Sequence, residues 1–319
     1  MREPLFVKQN SQKWARFEQA TSHDPDELAD SFIQITDDLA YAKTFYPKSK
    51  TTAYLNGLAS KFHQSIYKNK TEKGNRFITF WKYELPLLFK KHQKPLFYAF
   101  TFFMVFCLIG LLSAKYDDNF VRLIMGDAYV DKTNANIAKG DPFGVYKSES
   151  EWMMFFQIAV NNIYVSLVTF VAGIFFSIGS IYLLFRNGLM LGAFQYYFFS
   201  KGLCMKSVLV IWIHGTLEIS AIVIAGAAGL VLGNSLLFPK TFKRMVSLKQ
   251  GAIDGMKIAV GLVPIFITAA FFEGFVTRHT EMPIWLSSAI LAASLAFIVW
   301  YVVIYPNKLY KKTLYDTQY

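Results

Sequence analysis

His214 and Glu218 lie four residues apart in the apolar run Ser207-Val-Leu-Val-Ile-Trp-Ile-His-Gly-Thr-Leu-Glu-Ile-Ser-Ala-Ile-Val-Ile-Ala-Gly226. On a helix that spacing puts both on one face, one turn apart. An ionisable group at the centre of a bilayer costs about 3 kcal/mol on insertion scales, so it is kept inside a bundle and marks a candidate site. Between Trp152 and Tyr305 the acidic residues are Glu218, Asp254, Glu273 and Glu281, and the last-named and Asp254 fall in expected loops. Glu273, in Pro264-Ile-Phe-Ile-Thr-Ala-Ala-Phe-Phe-Glu-Gly274, is therefore the second membrane carboxyl. Counting from the ends of the expected helices, His214 sits about 9 Å and Glu273 about 5 Å inside the same boundary. The three side chains are expected together, Glu218 one turn deeper and none facing lipid.

Three chemistries suit such a cluster. One nitrogen and two carboxylates can hold Zn²⁺ or a similar divalent ion. Titrating carboxyls with a shuttling imidazole can carry protons or cations. A hydrogen-bonded brace between helices needs neither. The chain has no His-Glu-x-x-His motif, and it carries no paired Asp/Gly or Ser signature of an intramembrane protease. A second polar element is Arg186-Asn187-Gly188, expected as a turn, with Gly192 completing a GxxxG. Those glycines allow close helix packing, or else a half-helix N-terminus there faces an anion. Gly226, Gly229 and Gly233 extend a small-residue stripe that serves either a homodimer or contacts within one bundle.

The elements that must position these residues are membrane helices. Of the 319 residues, 54% are hydrophobic and 17% aromatic, and several runs approach the roughly 20 apolar residues that span a bilayer. With Lys and Arg gathered beside those runs, the net charge of +11 points to membrane orientation and away from nucleic acid. Cys107 and Cys204 show no ligand spacing and suggest no disulfide framework. The polar, acidic residues 1–40 hold no cleavable signal, so the first span is expected to direct insertion.

An all-α polytopic membrane protein is therefore expected, with about six membrane segments and an N-terminal helical region. Residues 1–94 form that cytoplasmic region. Asp24-Pro25 caps a helix facing Leu28, Phe32, Ile35 and Leu39 inward, and a second helix near 52–67 uses Leu55, Leu58, Phe62 and Ile66. An interfacial helix follows at 77–89. Residues 95–319 form the membrane domain, its first span at 95–114 and its extracytoplasmic loop at 115–151. The apolar stretch 152–185 is too long for one crossing. It is split at Asn161-Asn162 into an interfacial helix and a span at 163–185. The segment 189–202 is short, spanning or re-entrant. Further spans are expected at 208–232, 258–276 and 284–305, with a basic loop at 233–257 and both termini in the cytoplasm.

The chain resembles the stage II sporulation protein M family. The resemblance rests on the opening Met1-Arg2-Glu3-Pro-Leu-Phe-Val-Lys-Gln-Asn with Trp14 and Phe17-Glu18, and on the stretch from Arg186-Asn187-Gly188 to Gly192. His214-Gly215-x-x-Glu218 with Ala221 and Gly226, and Pro264 leading to Ala269-Ala270-x-x-Glu273-Gly274-Phe275, complete it. It implies a bacterial cytoplasmic-membrane protein whose His/Glu/Glu and Asn-Gly positions belong to a family pattern. The family's namesake is a septal protein that scaffolds peptidoglycan-degrading partners during engulfment; relatives also occur in bacteria that do not sporulate. The long N-terminal region fits that second type, and sporulation is not carried over.

The leading functional expectation is a non-enzymatic scaffold or accessory subunit of an envelope-associated complex, touching envelope or peptidoglycan-remodelling proteins. The alternatives are a small permease or channel along His214, Glu218 and Glu273, and an intramembrane hydrolase with a divalent metal on those residues.

Overall fold

The computed structural model describes residues 2–19, 25–67, 76–117, 119–144, 150–279 and 282–316. It divides into two compact units, Met1–Asn75 and Arg76–Tyr319. Among the described residues every regular element is helical.

The first unit has three helices: α1 (Glu3–Gln19), α2 (Pro25–Phe45) and α3 (Lys50–Tyr67). Ile35 and Leu39 of α2 and Leu55, Leu58 and Phe62 of α3 meet Phe6 and Trp14 of α1 in one buried core. The expected periodicity thus found its partner in a helix, α1, that the sequence reading did not draw. Trp14 stays buried because its indole N–H donates to Asp38 at 2.7 Å. The expected cap at Asp24, and the side chains of Leu28 and Ile66, lie outside what the structure describes.

The second unit opens with α4 (76–91), a helix with a π segment at Phe80–Glu84. α5 (Gln93–Tyr116) follows, then two short helices, α6 (Phe120–Met125) and α7 (Asp127–Ala138). The long helices are α8 (Glu151–Ile174), α10 (Cys204–Leu237), α11 (Arg244–Thr277) and α12 (284–316), with α9 (Ile178–Ser200) between α8 and α10. Five helices, α5, α8, α10, α11 and α12, are long and apolar enough to cross a membrane. α9, at 23 residues, spans about 34 Å, but Arg186, Asn187 and Gln195 dilute its apolar character. α5, α8 and α12 turn Phe97, Phe100, Leu108, Phe156, Val160, Leu295 and Val299 outward. Such an apolar exterior is what a polytopic membrane protein shows to lipid.

Three boundaries differ from expectation. The first concerns the split of residues 152–185. α8 runs straight through Asn161-Asn162, and the chain reverses at 175–177, where Phe176 and Ser177 take φ of 53° and 69°. The reversal holds there because Gly173 packs on the Gly229 carbonyl and Ser180 donates to the Thr169 carbonyl at 2.6 Å. Second, Arg186-Asn187-Gly188 is therefore no turn; it lies inside α9, and the segment 189–202 is that helix's second half. A half-helix N-terminus at Gly188 does not exist. Gly188 and Gly192 instead seat α9 on α5, where a Cβ at 192 would stand 2.0 Å from the Cys107 carbonyl oxygen. Third, the loop expected at 233–257 shrinks to 238–243, and Asp254 lies inside α11, paired with Lys91 at 2.6 Å. Small residues extend the helices here: Gly251 and Gly255 let α11 run against Ser235 and Ala228 of α10.

α10 is the central element, its residues 221–233 all buried. The stripe Gly226, Gly229, Gly233 is consumed within the chain by Leu184, Ser180 and Ser177. α4 packs with this unit: Leu85 and Phe89 join a core with Ile258, Leu262 and Phe266. A kink at Leu262, just before Pro264, turns the Ile265 N–H to the Leu262 carbonyl (2.9 Å), and the Trp81 indole takes up the Gly261 carbonyl (3.1 Å).

Candidate functional site

His214 and Glu218 are held by α10, whose helical register sets them one turn apart. Glu273 lies in the last stretch of α11, where Phe272–Thr277 is wound as a π-helix. Such wide turns shift the register of a helix end and concentrate at functional sites. Here Thr277 and Glu273, four residues apart, both reach His214. Its Nδ1 is 2.9 Å from Thr277 Oγ1, and its Nε2 is 3.8 Å from Glu273 Oε2.

One ligand atom from each of His214, Glu218 and Glu273 lies within 4.8 Å of the others. His214 is 4% exposed, and its environment is sealed. Glu218 and the 15%-exposed Glu273 side chain keep some surface, and that surface faces a cavity. The 3.8 Å gap is too long for a hydrogen bond. It does suit two atoms that share one ion, since tetrahedral ligands about 2.1 Å from zinc stand about 3.4 Å apart. The Thr277 contact fixes the imidazole through its other nitrogen, as outer partners of a ligating histidine do.

The cavity measures about 1100 Å³ and lies between α8, α9 and α10, with His214, Glu218 and Glu273 in its wall. Ile124 and Met125 of α6 and Tyr129 of α7 close it on the side of the 117–150 segment. Burial pushes the Tyr129 phenol up to about 12, so it is a hydroxyl at neutral pH. Asn161 and Asn162, expected as a helix break, line the cavity from the middle of α8. Asn162 is 5% exposed, and its amide faces the Glu218 carboxyl without a hydrogen bond of close geometry. Trp212 also lines the cavity, its indole held by Gln195 Oε1 at 3.0 Å. Toward the basic 238–243 loop Ala221, Ile222, Ala225 and Ala228 pack on Phe170, Ile258 and Phe266, while Ser166 and Thr169 of α8 and Ser180 of α9 are buried on the side of the 175–177 reversal.

The structure thus brings together His214, Glu218 and Glu273, and leaves Arg186, Asn187, Gly188 and Gly192 outside the site. Arg186 is exposed on α9, and Asn187 donates to the Leu183 carbonyl of its own helix at 2.8 Å. Asn162, Thr277 and Tyr129 were not among the expected site residues. The asparagine pair was visible as a polar interruption, but its side of the helix was not.

A family model described as "Stage II sporulation protein M" matches residues 99–278. A second, for a domain of unknown function (DUF8413), matches residues 4–68. The first covers α8 to α11, and so all three clustered residues; the second covers the first unit. No curated protein and no solved structure matches the chain.

Proposed function

Since the chain belongs to the stage II sporulation protein M family, we propose for it a site-specific chemistry, that of an intramembrane metal-dependent hydrolase. One observation carries the reading: an imidazole and two carboxylates, all within 4.8 Å, wall a cavity large enough for a substrate. Two carboxylates this close in a low-dielectric setting repel unless a cation or proton lies between them. His214, Glu218 and Glu273 fit a divalent ion through nitrogen and oxygen donors. Three protein donors in a cavity wall match catalytic zinc sites, whereas structural sites are closed by four. A divalent ion bound there supplies a Lewis acid and a water of lowered pKa. The protein's own part is to orient: Thr277 sets the His214 ring, and Asn162 offers an amide N–H to an oxygen that gains charge.

The membrane in question is the bacterial cytoplasmic membrane. Lys240, Lys243 and Arg244 at one end, with Lys308, Lys311 and Lys312, support a cytoplasmic side there and cytoplasmic termini, while 115–151 holds seven acidic against five basic residues. The site then lies in the half of the bilayer away from the cytoplasm.

A permease along the same residues is the second reading, and it needs a path past the tightly packed Ala225 and Ala228 of α10. A scaffold or accessory role draws on a different observation. The first unit has a core of its own and is available as a partner surface for envelope proteins.

The test is elemental analysis of the full-length protein purified in detergent without chelators. One equivalent of divalent metal is expected, lost in His214→Ala and in the double variant Glu218→Gln/Glu273→Gln. Protein that is folded and metal-free after incubation with Zn²⁺, Mn²⁺ or Fe²⁺ overturns the reading, and a brace between helices then stands. Proton or cation flux into proteoliposomes that Glu218→Gln abolishes supports the permease instead.

A further inference from the structure

The walls of the cavity differ in polarity, and the difference bears on its substrate. Phe156, Val160 and Tyr164 of α8 and Met190 of α9 line it. The same four are 59%, 66%, 65% and 45% exposed on the surface of the unit. They sit in the membrane-crossing part of the bundle, so that surface faces lipid and not water. α8 and α9 are pinned together at the 175–177 reversal by the Ser180–Thr169 bond, and Gly173 seats α8 on Gly229 of α10. Further along, both helices contribute to the cavity wall, together with Ile124, Met125 and Tyr129. The exposed part of the lining, on α8 and α9, is thus largely apolar and forms a sideways mouth to the site.

Polar side chains share this lining, Gln157 and Asn161 at its exposed edge, and apart from the clustered residues the lining is uncharged. Gln157, Asn161, Asn162 and Trp212 face the cavity, and among the described residues that line it none is Lys or Arg. With a divalent ion offsetting the two carboxylates, a phosphate group would still find no Lys or Arg in the lining to balance its own charge. An ester or amide carbonyl needs only a Lewis acid and a hydrogen-bond donor. Asn162, buried beside Glu218 in the cavity wall, is such a donor, its amide nitrogen making no close hydrogen bond of its own.

Resting on the hydrolase reading, we infer that the substrate is a membrane amphiphile that enters sideways between α8 and α9 and presents an uncharged ester or amide carbonyl to the His214–Glu218–Glu273 site. Its acyl chain lies along Phe156, Val160, Tyr164 and Met190. In the reaction a water oxygen bonds the carbonyl carbon while the carbon–oxygen or carbon–nitrogen bond breaks. A carboxylate of the cluster takes one proton from that water and returns it to the leaving alkoxide or amide nitrogen, and the water's second proton is released as the new carboxylic acid ionises. The products are a carboxylate and an alcohol or amine. Asn162 Nδ2 donates to the carbonyl oxygen as it becomes negative.

The experiment uses full-length protein in proteoliposomes with its metal content measured. They are doped with diacylglycerol or phosphatidic acid carrying a diazirine in one acyl chain. Photolysis is expected to place the diacylglycerol label on Phe156, Val160, Tyr164 and Met190, in the wild type and in His214→Ala alike. The double variant Val160→Trp/Met190→Trp, at lipid-facing positions that leave the fold unstrained, loses the label and keeps its metal. Fatty acid is released from diacylglycerol by the wild type, and Asn162→Ala lowers that rate about 100-fold with label and metal retained. Metal bound without labelling at the four positions overturns the sideways entry, leaving the hydrolase reading standing. Labelling and turnover at least as strong with phosphatidic acid overturn the uncharged carbonyl. Labelling without metal in the wild type overturns the hydrolase reading itself, and the substrate assignment with it.

Discussion

At the scale of single residues, the site is defined by what surrounds one histidine. His214 is anchored on its Nδ1 side by Thr277 and faces Glu273 through Nε2. Thr277→Val keeps the side-chain volume and removes the hydroxyl, so the ring is no longer held. Metal affinity, read by competition with a chromogenic chelator, should fall about 10- to 100-fold with the helical content unchanged. In the first unit Trp14 has the same standing for stability that His214 has for the site. It is 3% exposed and packs edge-on to Phe6. Trp14→Ala should cost about 3–5 kcal/mol of that unit's stability, measured by urea unfolding followed by circular dichroism. The His214/Glu218 pair was legible because a charge in an apolar run is rare. Thr277 was not, since threonine in a helix end has many uses and only its distance to the imidazole singles it out.

At the scale of elements, glycine spacing decides which helices meet. Gly192 faces α5, where an added Cβ would stand 2.0 Å from the Cys107 carbonyl oxygen and 2.6 Å from the Leu111 nitrogen. Backbone atoms cannot swing aside as a side chain does. Gly192→Ala should therefore push α9 off α5, and the thermal transition in detergent should drop by an amount equivalent to about 1–3 kcal/mol. Gly57, in the middle of α3, is the contrasting case, with nothing within 4 Å of the position a Cβ would take. Gly57→Ala should stabilise the first unit by about 0.4–1 kcal/mol in the same unfolding assay. Most helices could be drawn from apolar period and length. The break between α8 and α9 could not, because Asn161-Asn162 and Arg186-Asn187-Gly188 carry stronger local turn signals than Phe175-Phe176-Ser177. Tertiary contacts overrode them: Asn162 found a polar cavity, Gly188 found α5, and the reversal was fixed by Gly173 against Gly229.

At the scale of the whole molecule, the chain joins a small helical unit to a membrane bundle. Phe6, Trp14, Ile35, Leu55 and Phe62 give the first unit a core that draws on no residue beyond 75. A fragment ending at Asn75 should thus be helical and unfold cooperatively in solution; a featureless melt would show that the core needs the rest of the chain. Orientation is also open to direct measurement. In a variant with Cys107 and Cys204 replaced by serine, a cysteine at Asp141 should react with an impermeant maleimide on intact cells. One at Lys308 should react only after permeabilisation.

The amino-acid sequence alone determined that this is an all-α membrane protein. It also singled out a histidine and two glutamates in the bilayer, since length, apolar period and the cost of a buried charge are all written along the chain. Which helix faces the cavity, where α8 turns back, and that Asn162 stands beside Glu218 were decided only by packing in three dimensions. The reason is physical: a helix shows the same period whichever neighbour it meets. The meeting is set by side-chain volumes and glycine gaps that distant segments must match together.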